Sequence, residues 1–92
     1  DARYKEQIRD SFYGLDAVRQ LRPVQFRWNE ASGLDREHDY VGFVAQDVER
    51  VLGSTAVGHD EHGYLTLQDR AILAASVRAI QELADRYEML QR

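Results

Sequence analysis

The stretch LQDRAILAASVRAIQELADRYEMLQR, Leu67–Arg92, decides the fold. It contains no Gly or Pro and is rich in Ala, Leu, Glu, Gln and Arg, so intrinsic propensity predicts one long helix. Leu73, Ile80 and Tyr87 recur every seven residues, and Ser76, Leu83 and Leu90 repeat the interval three positions later. With the first series at a and the second at d of a heptad, Val77 and Ala84 fall at e. The apolar stripe is wider than a strict dimer seam. It suits a trimeric helical bundle, and it equally suits a helix packed on its own domain. Spacing alone leaves both open.

Upstream of this helix the pattern changes repeatedly. Asp1–Arg9 is polar, with Tyr4 and Ile8 as its apolar anchors, and reads as an extended arm or a single helical turn. Asp10-Ser11 is a plausible helix start, and Phe12, Leu15, Val18 and Leu21 at three-residue spacing predict a short helix over Tyr13–Leu21. Gly14 weakens its first turn and Pro23 ends it. Val24, Phe26 and Trp28 alternate with Gln25 and Arg27, the signature of a half-buried strand. Asn29–His38, with Ser32-Gly33, is a loop or hairpin tip.

Tyr40–Ala45 predicts a second strand, in which Gly42 marks a bulge or a close backbone approach. Ala45–Leu52 predicts a helix with Val48, Val51 and Leu52 on one side and Gly53 as its cap. Ala56-Val57 and Tyr64–Leu67 read as two short strands around the turn Asp60–Gly63. The order is helix, strands, helix, hairpin, long helix. The expected class is α+β, with short helices, a small antiparallel sheet or hairpins, and the long C-terminal helix.

With 92 residues the chain is one domain with a modest core. A net charge of −4 argues against general nucleic-acid binding, which needs a basic face. No run is apolar and long enough to span a membrane, and no signal-peptide pattern is present. Without cysteine, neither disulfides nor thiolate metal sites are available. The chain does not begin with Met, which suggests a fragment, a processed product or a trimmed chain. Of its twelve basic residues eleven are Arg, and Lys5 is the single Lys. A lysine can serve as a base when buried, whereas Arg stays charged; codon bias explains the same count.

Few residues read as chemistry. His59 and His62 with Asp60 and Glu61 resemble a metal cluster superficially. They fall on a turn and lack a third well-spaced ligand, so no metal is expected. His38 beside Asp39 is either a base with its orienter or a solvated loop pair. No phosphate-binding Gly-rich loop and no Gly-x-Ser-x-Gly elbow occurs. From the residues alone the chain is an oligomerising or interacting α+β module.

Three blocks carry a resemblance that spans nearly the whole chain. The first is Asp1-Ala2-Arg3-Tyr4-Lys5-Glu6-Gln7-Ile8, followed by the Leu15 helix and Leu21-Arg22-Pro23-Val24-Gln25-Phe26-Arg27-Trp28. The second is Val41-Gly42-Phe43-Val44-Ala45-Gln46-Asp47-Val48-Glu49, continuing to Val51-Leu52. The third is Tyr64-Leu65-Thr66-Leu67 with Ala79-Ile80-Gln81-Glu82-Leu83. Together they resemble the C-terminal intramolecular chaperone domain of phage endosialidases, tail spikes and tail fibres, a self-cleaving module also found in the myelin regulatory factor. Gly53, Asp69 and Gln81 depart from the family's frequent Pro, Tyr and Lys.

The resemblance implies a single domain over residues 1–92. Its arm, 1–9, would carry a catalytic Lys, and its helix, 67–92, would form a homotrimer through Leu73, Val77, Ile80, Leu83, Ala84, Tyr87 and Leu90. The folding client would be the β-rich fibre segment upstream in the same chain. No cofactor, nucleic acid or membrane partner is implied. Lys5 matches the family's general base, and the matching nucleophilic Ser would immediately precede Asp1, outside this sequence. The domain would act in the host cytoplasm during virion assembly and be released from the mature fibre. Two other readings stand beside this one: a trimerisation or capping module that never cleaves, and an unrelated monomeric binding module. Tyr13, Phe26 and Trp28 are candidates for client contact or for core packing.

Overall fold

The computed structural model describes every residue, Asp1–Arg92. Helix α1 spans Leu15–Val18, α2 Ala45–Leu52 and α3 Asp69–Leu90. Strands β1 (Val24–Phe26) and β2 (Tyr40–Gly42) form one antiparallel ribbon, and β3 (Val57–His59) and β4 (Leu65–Leu67) form another. The class is α+β, as the patterning predicts.

α2 has the expected bounds because its signals are local. Val48 and Leu52, one turn apart, are buried on one side, and Gly53 ends the helix at φ 83°, with its N–H donating to the Glu49 carbonyl. The β3–β4 ribbon follows, with Val57 opposite Leu67 and His59 opposite Leu65. Its tight turn is organised by Asp60, whose Oδ1 accepts from the backbone N–H of both His62 and Tyr64. Gln68 N–H then donates to the Ala56 carbonyl, which ties the entry of α3 to the start of β3.

The core lies where α2, β3 and α3 meet. Val48, Leu52, Ala56, Val57, Ile72 and Ala75 form it. Tyr13, Val18 and Leu21 pack on this cluster from the α1 side. Tyr13 therefore serves packing. Phe26 and Trp28 do not; they form an aromatic group with Tyr40 on the β1–β2 ribbon, at centroid distances of 4.9 to 6.2 Å.

Three local expectations change. The helix expected over Tyr13–Leu21 contracts at both ends to Leu15–Val18: Gly14 sits at φ −145°, ψ −133° outside helical geometry, and past Val18 the chain tightens into turns in which Gln20 N–H donates to the Ala17 carbonyl and Leu21 N–H to the Val18 carbonyl. Gly42 is not a bulge. It pairs in regular register with Val24, and a Cβ there would touch the Phe26 ring at 3.4 Å, so the close approach is to a side chain. Tyr4 and Ile8 do not anchor the arm to the body; Tyr4 is 91% exposed and no residue of the first turn is buried.

Only eight of 92 residues are buried, and the Cα radius of gyration is 16.4 Å. A compact chain of this length has a radius near about 12 Å. The excess comes from the arm and from α3, whose last ten or so residues bury nothing against their own chain.

Candidate functional site

α3 has two faces with opposite fates. Ile72, Ala75 and Ala79 are buried against the rest of the chain. At about 100° per residue, Leu73, Val77, Ile80, Ala84 and Tyr87 point to a neighbouring face, turned by about 60–140° from Ile72. All five are exposed, Ile80 at 66%. Leu83 and Leu90 lie nearly in line with Ile72, but beyond the reach of the domain, and are exposed as well, Leu90 at 82%. The seven residues expected at a trimer seam thus share one continuous surface that their own chain leaves uncovered. Soluble monomers seldom expose so long an apolar strip.

Small side chains explain the buried face. Ala75 and Ala79 let α1 and the Ser54–Ala56 turn approach α3 closely, and Gly14 completes the fit by presenting no side chain to Arg78 and Glu82. The larger apolar residues are consigned to the uncovered surface.

The second part of the site is the arm. Ala2–Tyr4 forms a single 3-10 turn, capped by the Asp1 carboxylate, which accepts from Arg3 N–H at 2.8 Å. Lys5 follows in extended geometry, its N–H donating to the Ala2 carbonyl. Its side chain is exposed. The Arg3 guanidinium is engaged by Asp1, with Nη2–Oδ2 at 2.7 Å, and Arg9 donates to the Gln7 carbonyl. The burial that a basic lysine needs is therefore not supplied by its own chain, and the nearest arginine already has a carboxylate partner. Gln7 adopts φ 53°, a left-handed conformation uncommon for a residue with a side chain, and redirects the arm just beyond Lys5.

The remaining candidates resolve differently. His38 does not pair with Asp39. Its Nδ1 contacts Asp35 Oδ2, the Tyr40 hydroxyl donates to the same oxygen at 3.0 Å, and Asp39 instead accepts from Arg27 Nε. The residues that converge are three and five positions apart around a loop, and adjacency in sequence gave no signal for them. His59 is exposed and His62 lies 3.7 Å from Glu61; no three His, Asp or Glu side chains converge as a metal-binding set. A cleft of about 680 Å³ between the ribbons is lined by Trp28, Phe43, Tyr64, Ser32 and His62, and the Ser32 hydroxyl donates to the Asn29 carbonyl at 2.7 Å rather than to the His62 ring.

The family model described as chaperone of endosialidase matches residues 1–58, from the arm through β1, β2 and α2. The chain belongs to this family. No curated protein matches it. The domain is thus of the chaperone type that serves assembly of phage endosialidases and tail fibres. The matched span contains Lys5 and ends before α3, so the exposed helical face is an observation independent of the match.

Proposed function

We propose that this domain is a C-terminal intramolecular chaperone that forms a homotrimer through α3, assists folding of the β-rich segment before it, and is then released by self-cleavage. The observation that carries the reading is the uncovered apolar stripe from Leu73 to Leu90, which begins beside the face of Ile72, Ala75 and Ala79 and runs on past the end of the domain. Three such stripes would bury one another, and the free end of α3 would gain the support that a lone helical overhang lacks.

The benefit to a fibre is physical. Intertwined β structures depend on non-local pairing, so they fold slowly and slip register. Joining three chains at one end raises the effective concentration of each for the others and aligns their ends. Removal of the domain afterwards leaves a fibre held by a high unfolding barrier.

For release, a serine immediately before Asp1 would be the nucleophile and Lys5 the general base. The neutral Lys5 amine takes the proton from the serine Oγ as Oγ attacks the preceding carbonyl carbon. The C–N bond breaks, the amine leaves with the proton returned from Lys5, and an ester forms. Water then attacks the ester, giving a carboxylic acid and the free serine hydroxyl. Burial of Lys5 against neighbouring chains would supply the neutral form.

The test is a parent chain carrying the natural upstream segment, compared with Lys5→Ala and with Ile80→Asp/Leu83→Asp. Fragment masses and the mass of the assembly are read together. Cutting just before the expected serine, lost in the lysine variant, with trimers lost in the double variant, is the expected result. Trimers without cutting in the parent would select a permanent capping module. A monomeric parent would end the proposal.

A further inference from the structure

Asp1 and Arg3 are joined by four hydrogen bonds, more than any other pair of side chains here. Arg3 N–H donates to Oδ1 at 2.8 Å, Nε to Oδ1 and Oδ2 at 3.1 and 3.2 Å, and Nη2 to Oδ2 at 2.7 Å. Two backbone bonds complete the turn, Tyr4 N–H to the Asp1 carbonyl and Lys5 N–H to the Ala2 carbonyl, each at 3.1 Å. None of these residues is buried, so the turn is held by its own bonds alone.

That turn lies between Lys5 and the position where the nucleophile would stand, five residues earlier. Five extended residues span about 17 Å. An odd separation also places the two side chains on opposite sides of an extended strand. A lysine side chain cannot bridge that distance. A 3-10 turn rises only about 2 Å per residue, so it folds the chain back and shortens the gap.

We infer that Asp1 is a positioning residue for the self-cleavage: its carboxylate caps the Ala2–Tyr4 turn and clamps Arg3, which holds Lys5 within reach of the preceding serine. The inference rests on the Ser–Lys reading above. The action is geometric. Both Asp1→Ala and Asp1→Asn free the Arg3 charge alike and differ only in the capping oxygen, so the difference between them isolates the geometric part.

The experiment follows cleavage of the full parent chain across pH, beside Asp1→Ala, Asp1→Asn and Lys5→Ala. Asparagine retains the capping oxygen, whereas alanine does not. Asp1→Ala is expected to cut about tenfold more slowly, the scale of one lost cap. Asp1→Asn is expected to stay within about threefold of the parent. The midpoint of the pH profile is the same in the two variants, since both free Arg3, and the mass of the assembly stays unchanged in both.

An Asp1→Ala rate equal to the parent's, with Lys5→Ala inactive, overturns the positioning role and leaves the Ser–Lys reading intact. Asp1→Asn as slow as Asp1→Ala overturns it in favour of a charge effect on Lys5. Loss of the assembly in Asp1→Ala overturns it in favour of a general structural role. Cutting that survives Lys5→Ala, or a parent that does not cut, overturns the Ser–Lys reading and this inference with it.

Discussion

Gly14 packs directly on Glu82: a methyl group at position 14 would overlap the Glu82 carboxylate and lie 2.9 Å from Arg78 Cγ. The Glu82 carboxylate, held at 3.2 Å by Arg78 Nε in a part-exposed pair worth at most about 1 kcal/mol, can give way, whereas Arg78 Cγ on the side-chain stem is the firmer obstacle. The missing side chain is what seats α1 on α3. Gly14→Ala is expected to cost about 1–3 kcal/mol, the usual penalty for overpacking. Urea unfolding at fixed protein concentration reads it as a lower midpoint. Adding Glu82→Ala should recover part of the loss, so the two changes will be non-additive. Simple additivity would mean that the two residues do not share the contact.

The core rests on few side chains, so each counts heavily. Val48 is 0% exposed and Leu52 packs with it between α2 and α3. Leu52→Ala should lower stability by about 2–5 kcal/mol, combining lost transfer energy with the cavity left behind. Val51, half-buried on the same helix, should cost less when shortened. Equal effects at the two positions would contradict the burial that separates them.

Ala79 and Ile80 are adjacent, about 100° apart on the helix, yet one is buried and the other exposed. Ala79→Asp would bury an unpaired carboxylate against the domain and should unfold it. The proposed trimer predicts that Ile80→Asp leaves the helical circular dichroism of each chain intact while lowering the sedimenting mass from that of a trimer to that of a monomer. An unchanged mass in Ile80→Asp would show that the seam lies elsewhere.

Asp35 should govern the acid response of the β1–β2 loop. The Glu37 backbone N–H, the His38 ring and the Tyr40 hydroxyl stabilise its charged form and lower its pKa below the ordinary 3.8. A carboxylate with a depressed folded-state pKa contributes stability above its unfolded value, and that contribution is lost as pH falls through the folded value. The hydroxyl of Tyr40, hydrogen-bonded to Asp35, is correspondingly raised above 10. Its contribution is present below the unfolded value and lost as pH rises through the folded one. Asp35→Asn should therefore flatten the acid limb of loop unfolding and bring the Tyr40 titration back toward the other tyrosines. Tyrosinate absorbance in Tyr40→Phe identifies which of the five tyrosines titrates last. If the highest midpoint persists in Tyr40→Phe, the hydrogen bond to Asp35 does not set it.

How much of this was legible in the sequence follows from the range of the forces involved. Helix propensity, caps and periodicity act over a few residues, so α2 with Gly53 and the core of α3 could be read directly. The β3–β4 turn was equally local, since Asp60 and Gly63 supply its hydrogen bonds and its positive φ. The heptad series located the apolar stripe, and the arm motif located Lys5. Neither said which face of α3 its own domain would cover. Ser76, Val77 and Ile80 belong to the same periodic pattern, yet only packing with α1 and the Ser54–Ala56 turn separates the sheltered side from the open one.

Contacts between distant segments decided the rest. Gly14 shortened α1 at its start because Glu82 stands opposite it, a neighbour 68 positions away by sequence number. His38 found Asp35 rather than Asp39 because the loop folds back on itself. The sequence by itself determined the helices, the turns and the amphipathic repeat, all of which are satisfied by near neighbours. The tertiary structure alone decided which apolar surfaces find partners within the chain, because burial depends on what arrives from elsewhere in the molecule.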